Sequence, residues 1–254
     1  MKKLFFSLIL MMFALQIFAQ KPTHYYVEIK TNKGTITAKL LNETPKHRDN
    51  FKKLVEENYY DGVLFHRVIK NFMIQGGDPD SKLPTTTSLT VLGNGGPDYK
   101  VKSEIQEGIF HKKGVLGAAR DNNPAKESSG SQFYIVQGRK FTDAGLDSLV
   151  KFRMQGKEFS AKQREVYKTI GGTPHLDGNY TVFGETIKGM EAVDNIAGVN
   201  TDKSDRPITN EPMHIRLLTR REAINLEREL VGLKPKGGFF TKLFDSLKSK
   251  NYKL

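Results

Sequence analysis

A chain of 254 residues, 37% hydrophobic, is long enough for one large domain with appendages and apolar enough to bury a core. It has no cysteine, which excludes disulfides, a lipidated cysteine and thiolate chemistry, so stability must come from packing. The formal charge of +12 suits acidic envelope polymers or anionic lipid heads better than nucleic acid once the N-terminus is read.

Lys2 and Lys3 precede an apolar run over residues 4–18 and then the small Ala19. This is the pattern of a secretory signal peptide with cleavage after Ala19. The run is shorter than the roughly 20 residues of a membrane-spanning helix. The mature chain is therefore expected to be exported, in a periplasm, with secretion or envelope association as alternatives.

Residues 25–29 and 34–40 read as a hairpin about Asn32-Lys33-Gly34, with an Asn and a Gly at the turn. Thr44 before Pro45 predicts a capped helix whose apolar face carries Phe51, Leu54 and Val55, ending near Asn58. Residues 63–75 are β-branched and aromatic until Gly76-Gly77-Asp78-Pro79 stops them. A long loop rich in Thr, Ser and Gly follows over residues 80–97, then short buried strands at 115–119 and 132–136 on either side of a polar loop at 121–130.

The character changes over residues 143–172. Leu146, Leu149, Val150 and Met154 have helical spacing, and Ser160 with Gln163 forms a capping box for a second helix. Strands resume at 180–183 and 214–218, with a helix over 190–196 between them. After Thr219 the pattern is helical, breaks at Pro235 and Gly237-Gly238, and ends in a basic amphipathic stretch. There Phe240, Leu243, Phe244 and Leu247 accompany Lys242, Lys248, Lys250 and Lys253. This stretch is expected to fold onto its own domain, with a membrane surface or a partner as the alternative. Short strands with turn signals plus an early and a late helix point to a mainly all-β closed antiparallel barrel capped by helices.

Common catalytic patterns are missing: there is no Gly-x-Ser-x-Gly elbow and no His-Glu-x-x-His, and the six histidines are scattered, so no metal or acyl chemistry is expected. Gly93, Gly95 and Gly96 lack the Lys-Ser/Thr ending of a phosphate loop and read as a turn. What remains is an ordered set. It comprises Phe65-His66-Arg67-Val68-Ile69, Asn71-Phe72-Met73-Ile74-Gln75-Gly76-Gly77-Asp78, Gly130-Ser131-Gln132-Phe133-Tyr134, and Leu176-Asp177-Gly178 leading to Val182-Phe183-Gly184.

In order and spacing this set resembles the cyclophilin family of peptidyl-prolyl cis-trans isomerases, from about Tyr25 to Thr219. The resemblance implies a closed eight-stranded antiparallel barrel capped by two helices, here with a helical insertion at 143–172 and a helical basic extension at 220–254 after an isomerase domain at 20–219. It implies catalysed rotation about X-Pro bonds, assisting the folding of exported proteins; the alternative is a non-catalytic proline-peptide-binding chaperone or scaffold.

Such rotation meets a resonance barrier of roughly 18 to 20 kcal/mol and breaks no bond, so neither nucleophile nor cofactor is required. The needs are a pocket for the proline ring and a fixed donor that favours the twisted amide. By resemblance Arg67 is that donor, always charged and forked. Phe72, Met73, Leu176 and Tyr134 line the pocket, with Tyr134 where the family usually has Phe. Gln75 and Gln132 orient Arg67 and bond the substrate backbone, and Ala119 with Arg120 forms the edge that pairs with an extended peptide.

His175 and Tyr180 stand where the family often has Trp and His, and Arg120 replaces a common Asn. These departures put cyclosporin binding in doubt and alter selectivity before proline. The insertion enters just before Leu176 and is expected either to overhang the groove and restrict substrates or to be a passive surface feature. Proline-containing polypeptides are the expected partners, with no nucleic acid and no metal, and the protein is expected to be a monomer.

Overall fold

The computed structural model describes residues 21–82 and 91–236. The expected signal peptide, residues 83–90 of the expected loop and the basic stretch with Phe240, Leu243, Phe244 and Leu247 lie outside the described residues. Residues 26–217 form one compact unit, and the described residues at 21–25 and 218–236 belong to a second.

The barrel opens with the expected hairpin. Strands β1 (Tyr26–Thr31) and β2 (Gly34–Leu40) pair from Tyr26↔Lys39 to Thr31↔Gly34. Val27 and Ile29 on one strand and Ile36, Ala38 and Leu40 on the other are fully buried, the two-residue period of a half-buried sheet. Thr31 closes the turn, its hydroxyl donating to the Gly34 carbonyl and accepting from Lys33 N–H.

Helix α1 (Pro45–Glu56) buries His47, Phe51, Leu54 and Val55. Thr44 occupies the N-cap position but caps nothing, and its buried hydroxyl has no partner. The orphan N–H groups go instead to Glu104, whose two carboxylate oxygens accept from Lys46 N at 3.0 Å and His47 N at 2.9 Å. The helix is thus capped not by Thr44, as expected, but by a carboxylate from a distant loop that satisfies two donors, where a hydroxyl would satisfy one.

Residues 63–75, read as one extended stretch, form two strands. β3 (Val63–Ile69) and β4 (Met73–Gly76) are joined by a turn in which Asn71 takes φ 64°, a left-handed conformation Asn tolerates well. A short β5 (Lys100–Val101) pairs with β7 (Ser128–Ser129) beside the barrel. The barrel wall continues with β6 (Val115–Ala118), β8 (Phe133–Val136), β9 (Val182–Lys188) and β10 (Pro212–Leu217). Its eight strands close in the order β1-β10-β3-β4-β8-β6-β9-β2, every pair antiparallel. α1 packs on β10, β9 and β5, and α4 (Met190–Ala197) packs on β2, β3 and β4.

The insertion folds as the expected helix pair, α2 (Asp143–Phe152) and α3 (Ala161–Thr169), with the Ser160/Gln163 capping box formed in both directions. Leu146, Val150, Met154, Phe159 and Tyr167 bury one another around Phe110 of the barrel unit. In the second unit, α5 (Arg220–Leu230) starts at a Thr219/Glu222 capping box. Thr23 donates to Glu227 there through its backbone N–H and its hydroxyl. No helix among the described residues is long and apolar enough to cross a membrane.

Candidate active site

Register decides which side chains leave the barrel. Across β3, β4, β8 and β6 the row Val68, Ile74, Ile135, Leu116 points inward, each residue at most 2% exposed. The adjacent row, Arg67↔Gln75↔Tyr134↔Gly117, must then face outward, as must Ile69↔Met73↔Val136. Met73, Tyr134 and Val136 are nevertheless buried, because Val115, Ala119, Leu176 and Val182 gather with them, and Phe72, Ile69 and Tyr180 pack against that cluster. The outer wall thus carries an apolar patch with Arg67 in the same outward set, 44% exposed.

Arg67 is oriented from one side. Its Nε donates to Asp205 Oδ2 at 3.3 Å, and the Asp205 carbonyl accepts from Val68 N at 2.8 Å, tying that loop to β3. The Nη groups have no hydrogen-bond partner among the described residues. Phe72 is fixed through its backbone, its carbonyl accepting from Gln137 N and Gly138 N at 3.1 and 3.0 Å. His175, on the 3-10 turn Pro174–Leu176, lies against the Phe72 ring with centroids 5.3 Å apart and planes at 29°. Burial lowers its pKa below the ordinary imidazole value, with nearby His111 adding to the effect.

Gln75 and Gln132 do meet: Gln75 Nε2 donates to Gln132 Oε1 at 3.2 Å, while Gln132 Nε2 donates to the carbonyls of Gly93 and Gly95. In turn the N–H groups of Gly93 and Gly95 converge on the buried Asp78 carboxylate. This explains why the glycine run is not a phosphate loop. An internal carboxylate takes the donors that such a loop would offer to a ligand.

Of the two residues expected to form the peptide-pairing edge, Ala119 is spent internally. Its N–H donates to Gln132 O and its carbonyl accepts from Ser129 N. The edge narrows to Arg120, whose backbone N–H and carbonyl have no partner among the described residues. The Arg120 guanidinium is occupied: Nε donates to Asn179 O at 2.8 Å, Nη1 to Asp121 O, and the group lies 5.0 Å from the centre of the Tyr180 ring. It holds the loop after Leu176 in place, assisted by Lys126, which donates to Gly178 O.

Sequence reasoning missed the polar chain beneath the patch. Tyr134 Oη lies 2.9 Å from His111 Nε2, and His111 Nδ1 lies 2.9 Å from Asp177 Oδ1. An ionised carboxylate only accepts, so Nδ1 carries the ring proton and Nε2 accepts from the tyrosine hydroxyl. Burial, together with the charges of Tyr180 and Asp177, pushes the Tyr134 pKa far above the phenol value, so the hydroxyl keeps its proton. That hydroxyl is committed away from the patch, and the ring presents the hydrocarbon face that a phenylalanine would. The signal available was Asp177 itself, an acid between apolar Leu176 and the turn at Gly178, where an unpaired charge would be untenable.

An apolar patch with a forked cation, both on the outer wall of a closed antiparallel barrel, fits a barrel protein of the cyclophilin class. The family model for cyclophilin-type peptidyl-prolyl cis-trans isomerases matches residues 26–217. The chain belongs to this family and is an isomerase. It is 34% identical over 183 residues to a chain of Staphylococcus haemolyticus named as a peptidyl-prolyl cis-trans isomerase, covering 72% of this chain and 85% of that one. A bifunctional phosphatase/peptidyl-prolyl cis-trans isomerase of Streptococcus pyogenes is 37% identical over 187 residues, which make up 71% of this chain and 36% of that longer protein. Among solved structures, a cyclophilin-type isomerase of Cryptosporidium parvum superposes with a TM-score of 0.57 at 26% identity, covering 77% of this chain and 98% of that one. The same protein, solved in the presence of the dipeptide Ala-Pro, gives 0.56.

Proposed function

We propose that this isomerase is exported and turns X-Pro bonds in polypeptides folding outside the cytoplasm, with Arg67 as the donor on which turnover depends. The proline ring enters the slot of Phe72, Met73, Leu176 and Tyr134, flanked by His175 and Tyr180, while the chain before proline runs along the Arg120 edge. Gln75, opposite Arg67 in the ladder and bonded to Gln132, bonds the substrate backbone; neither glutamine bonds the guanidinium, which Asp205 orients in their place.

Rotation strips the amide of its resonance, pyramidalises the nitrogen and restores its lone pair. A cation fixed beside that nitrogen binds the twisted state more tightly than either planar state, which is what lowers the barrier. No electron pair moves to the protein. Arg67 stays charged at every working pH, so turnover needs no titrating group. The observation that carries the reading is the register Arg67↔Gln75↔Tyr134, which sets the cation and the slot floor in one outward row.

Export is supported by Lys2, Lys3 and the apolar run ending at Ala19, and the reading includes a monomer acting in a periplasm on proline-containing polypeptides. A protease-coupled assay on an Ala-Pro peptide tests the chemistry. Wild type accelerates exchange, and Arg67→Ala loses about 100-fold or more in kcat/KM, the scale of removing one transition-state donor. Peptide binding without acceleration by wild type would replace the enzyme with a scaffold. Cell fractionation tests the location, and retention of an uncleaved chain in the cytoplasm would defeat it.

A further inference from the structure

The helical insertion is hydrogen-bonded to a carboxylate beside the pocket wall. Asp177 follows the wall residue Leu176 and is 7% exposed. Its Oδ1 accepts from His111 N at 2.8 Å and His111 Nδ1 at 2.9 Å. Its Oδ2 accepts from Tyr167 Oη at 2.6 Å and Gln163 Nε2 at 3.3 Å. Tyr167 and Gln163 belong to α3, and His111 passes the connection on to Tyr134. We propose that Tyr167 of the insertion is a positioning residue for catalysis, holding Asp177 so that the Asp177–His111–Tyr134 chain sets the tilt of the pocket floor.

Three features favour this over a passive surface insertion. First, the chain is buried along its length: Tyr134, His111, Tyr167 and Asp177 are each below a tenth exposed, so water does not compete for its bonds. Second, four donors meet the carboxylate, and the two on Oδ2 come from the insertion, so without it that oxygen would lose both partners. Third, the floor ring has little freedom of its own. It is parallel to His111 within 17° at 6.1 Å, meets Tyr180 edge-on at 6.0 Å, and lies across Gly117. A shift of His111 must therefore be passed to Tyr134. The insertion braces the pocket from behind, which is a different role from overhanging its mouth.

The proposal rests on the slot being the proline site, and the test separates the two. The full chain is assayed as wild type, Tyr167→Phe, Tyr134→Phe and the double variant, on the same Ala-Pro peptide, with thermal unfolding followed alongside. Tyr167→Phe keeps the ring packed against Phe110, Phe141 and Phe159 and removes only the hydroxyl. It is expected to lower kcat/KM about fivefold in the wild-type background and less than about twofold once Tyr134→Phe has cut the chain, because contacts in one network are non-additive.

Equal losses in both backgrounds, or no loss from Tyr167→Phe in an active wild type, would overturn the brace while leaving the slot assignment intact. Should Tyr167→Phe fail to fold, Gln163→Ala removes the other α3 donor from the same oxygen and is read in the same cycle. An inactive wild type would instead reject the proposed function itself.

Discussion

A Cβ added to Gly117 would lie 2.2 Å from Cζ of Tyr134 and 2.4 Å from its hydroxyl oxygen, so the pocket floor rests directly on the glycine opposite it in the ladder. A methyl group there cannot coexist with the ring in place, and the ring's hydroxyl is already tied to His111. Gly117→Ala is predicted to lift Tyr134 into the slot and cut kcat/KM about tenfold or more. The overpacked site should also lose on the order of 1 to 3 kcal/mol of stability. Chemical unfolding and peptide assays read both, and a variant as active as wild type would show that the floor is not where substrate sits.

Arg67 and Asp205 form an exposed pair, 44% and 42%, of the kind that contributes at most about 1 kcal/mol to stability. Under the proposed function its value is orientation: the bond is made through Nε and leaves Nη1 and Nη2 without a partner among the described residues. Asp205→Asn keeps a residue that tolerates the φ of 62° at this position while weakening the bond. Activity is predicted to fall about threefold to tenfold with the unfolding midpoint unchanged, since misaimed groups cost rate before stability. Arg67→Lys retains the charge without the fork and is expected to lose about 100-fold. Equal activity of the Lys and Arg proteins would reduce the donor to a general field.

Local features were legible in the sequence and distant ones were not. The hairpin at Asn32 and the Ser160/Gln163 box involve residues at most a few positions apart, and both stand as expected. The expected slot residues come only from the resemblance to the cyclophilin family; periodicity alone reads Phe72 and Met73 as strand interior. Asn71 was legible as a polar residue in an apolar stretch, yet the stretch read as continuous, because turn chemistry at one residue was outweighed by β-branched neighbours. Partners far along the chain stayed hidden. Glu104 caps a helix 58 residues before it, Asp177 meets His111 across 66, and Asp205 meets Arg67 across 138. Local sequence can hint that an acid is buried, as at Asp177, but it does not name the distant partner.

Glu104 illustrates the cost of such a hidden partner. One carboxylate serves two backbone donors of α1 and also lies 2.7 Å from His47 Nδ1, so Glu104→Ala is predicted to destabilise the fold by about 2 kcal/mol or more. Thr44→Val should change stability by less than about 1 kcal/mol, because the hydroxyl it removes is buried without a partner. Urea unfolding of the two variants ranks them. The opposite ranking would restore Thr44 as the cap.

His66, next to Arg67, is 4% exposed, and neither ring nitrogen has a partner. Burial pushes its pKa down to about 4, against the raising influence of Asp78 and with help from the cations Arg67 and Arg206. The unfolded chain, titrating near 6.5, therefore binds a proton that the folded chain refuses. The stability tied to this histidine is complete above pH 6.5 and is lost as the pH falls from there to about 4. The loss is on the order of 3 kcal/mol. His66→Phe removes the titration without breaking a hydrogen bond, because none is made. Its unfolding free energy is predicted to depend less on pH between 7.5 and 4.5 than that of wild type, with carboxylate effects common to both proteins cancelling in the difference. Identical pH dependence in the two would mean that His66 gains its proton in the folded state as readily as in the unfolded one, and the buried, unpaired imidazole would have to be discarded.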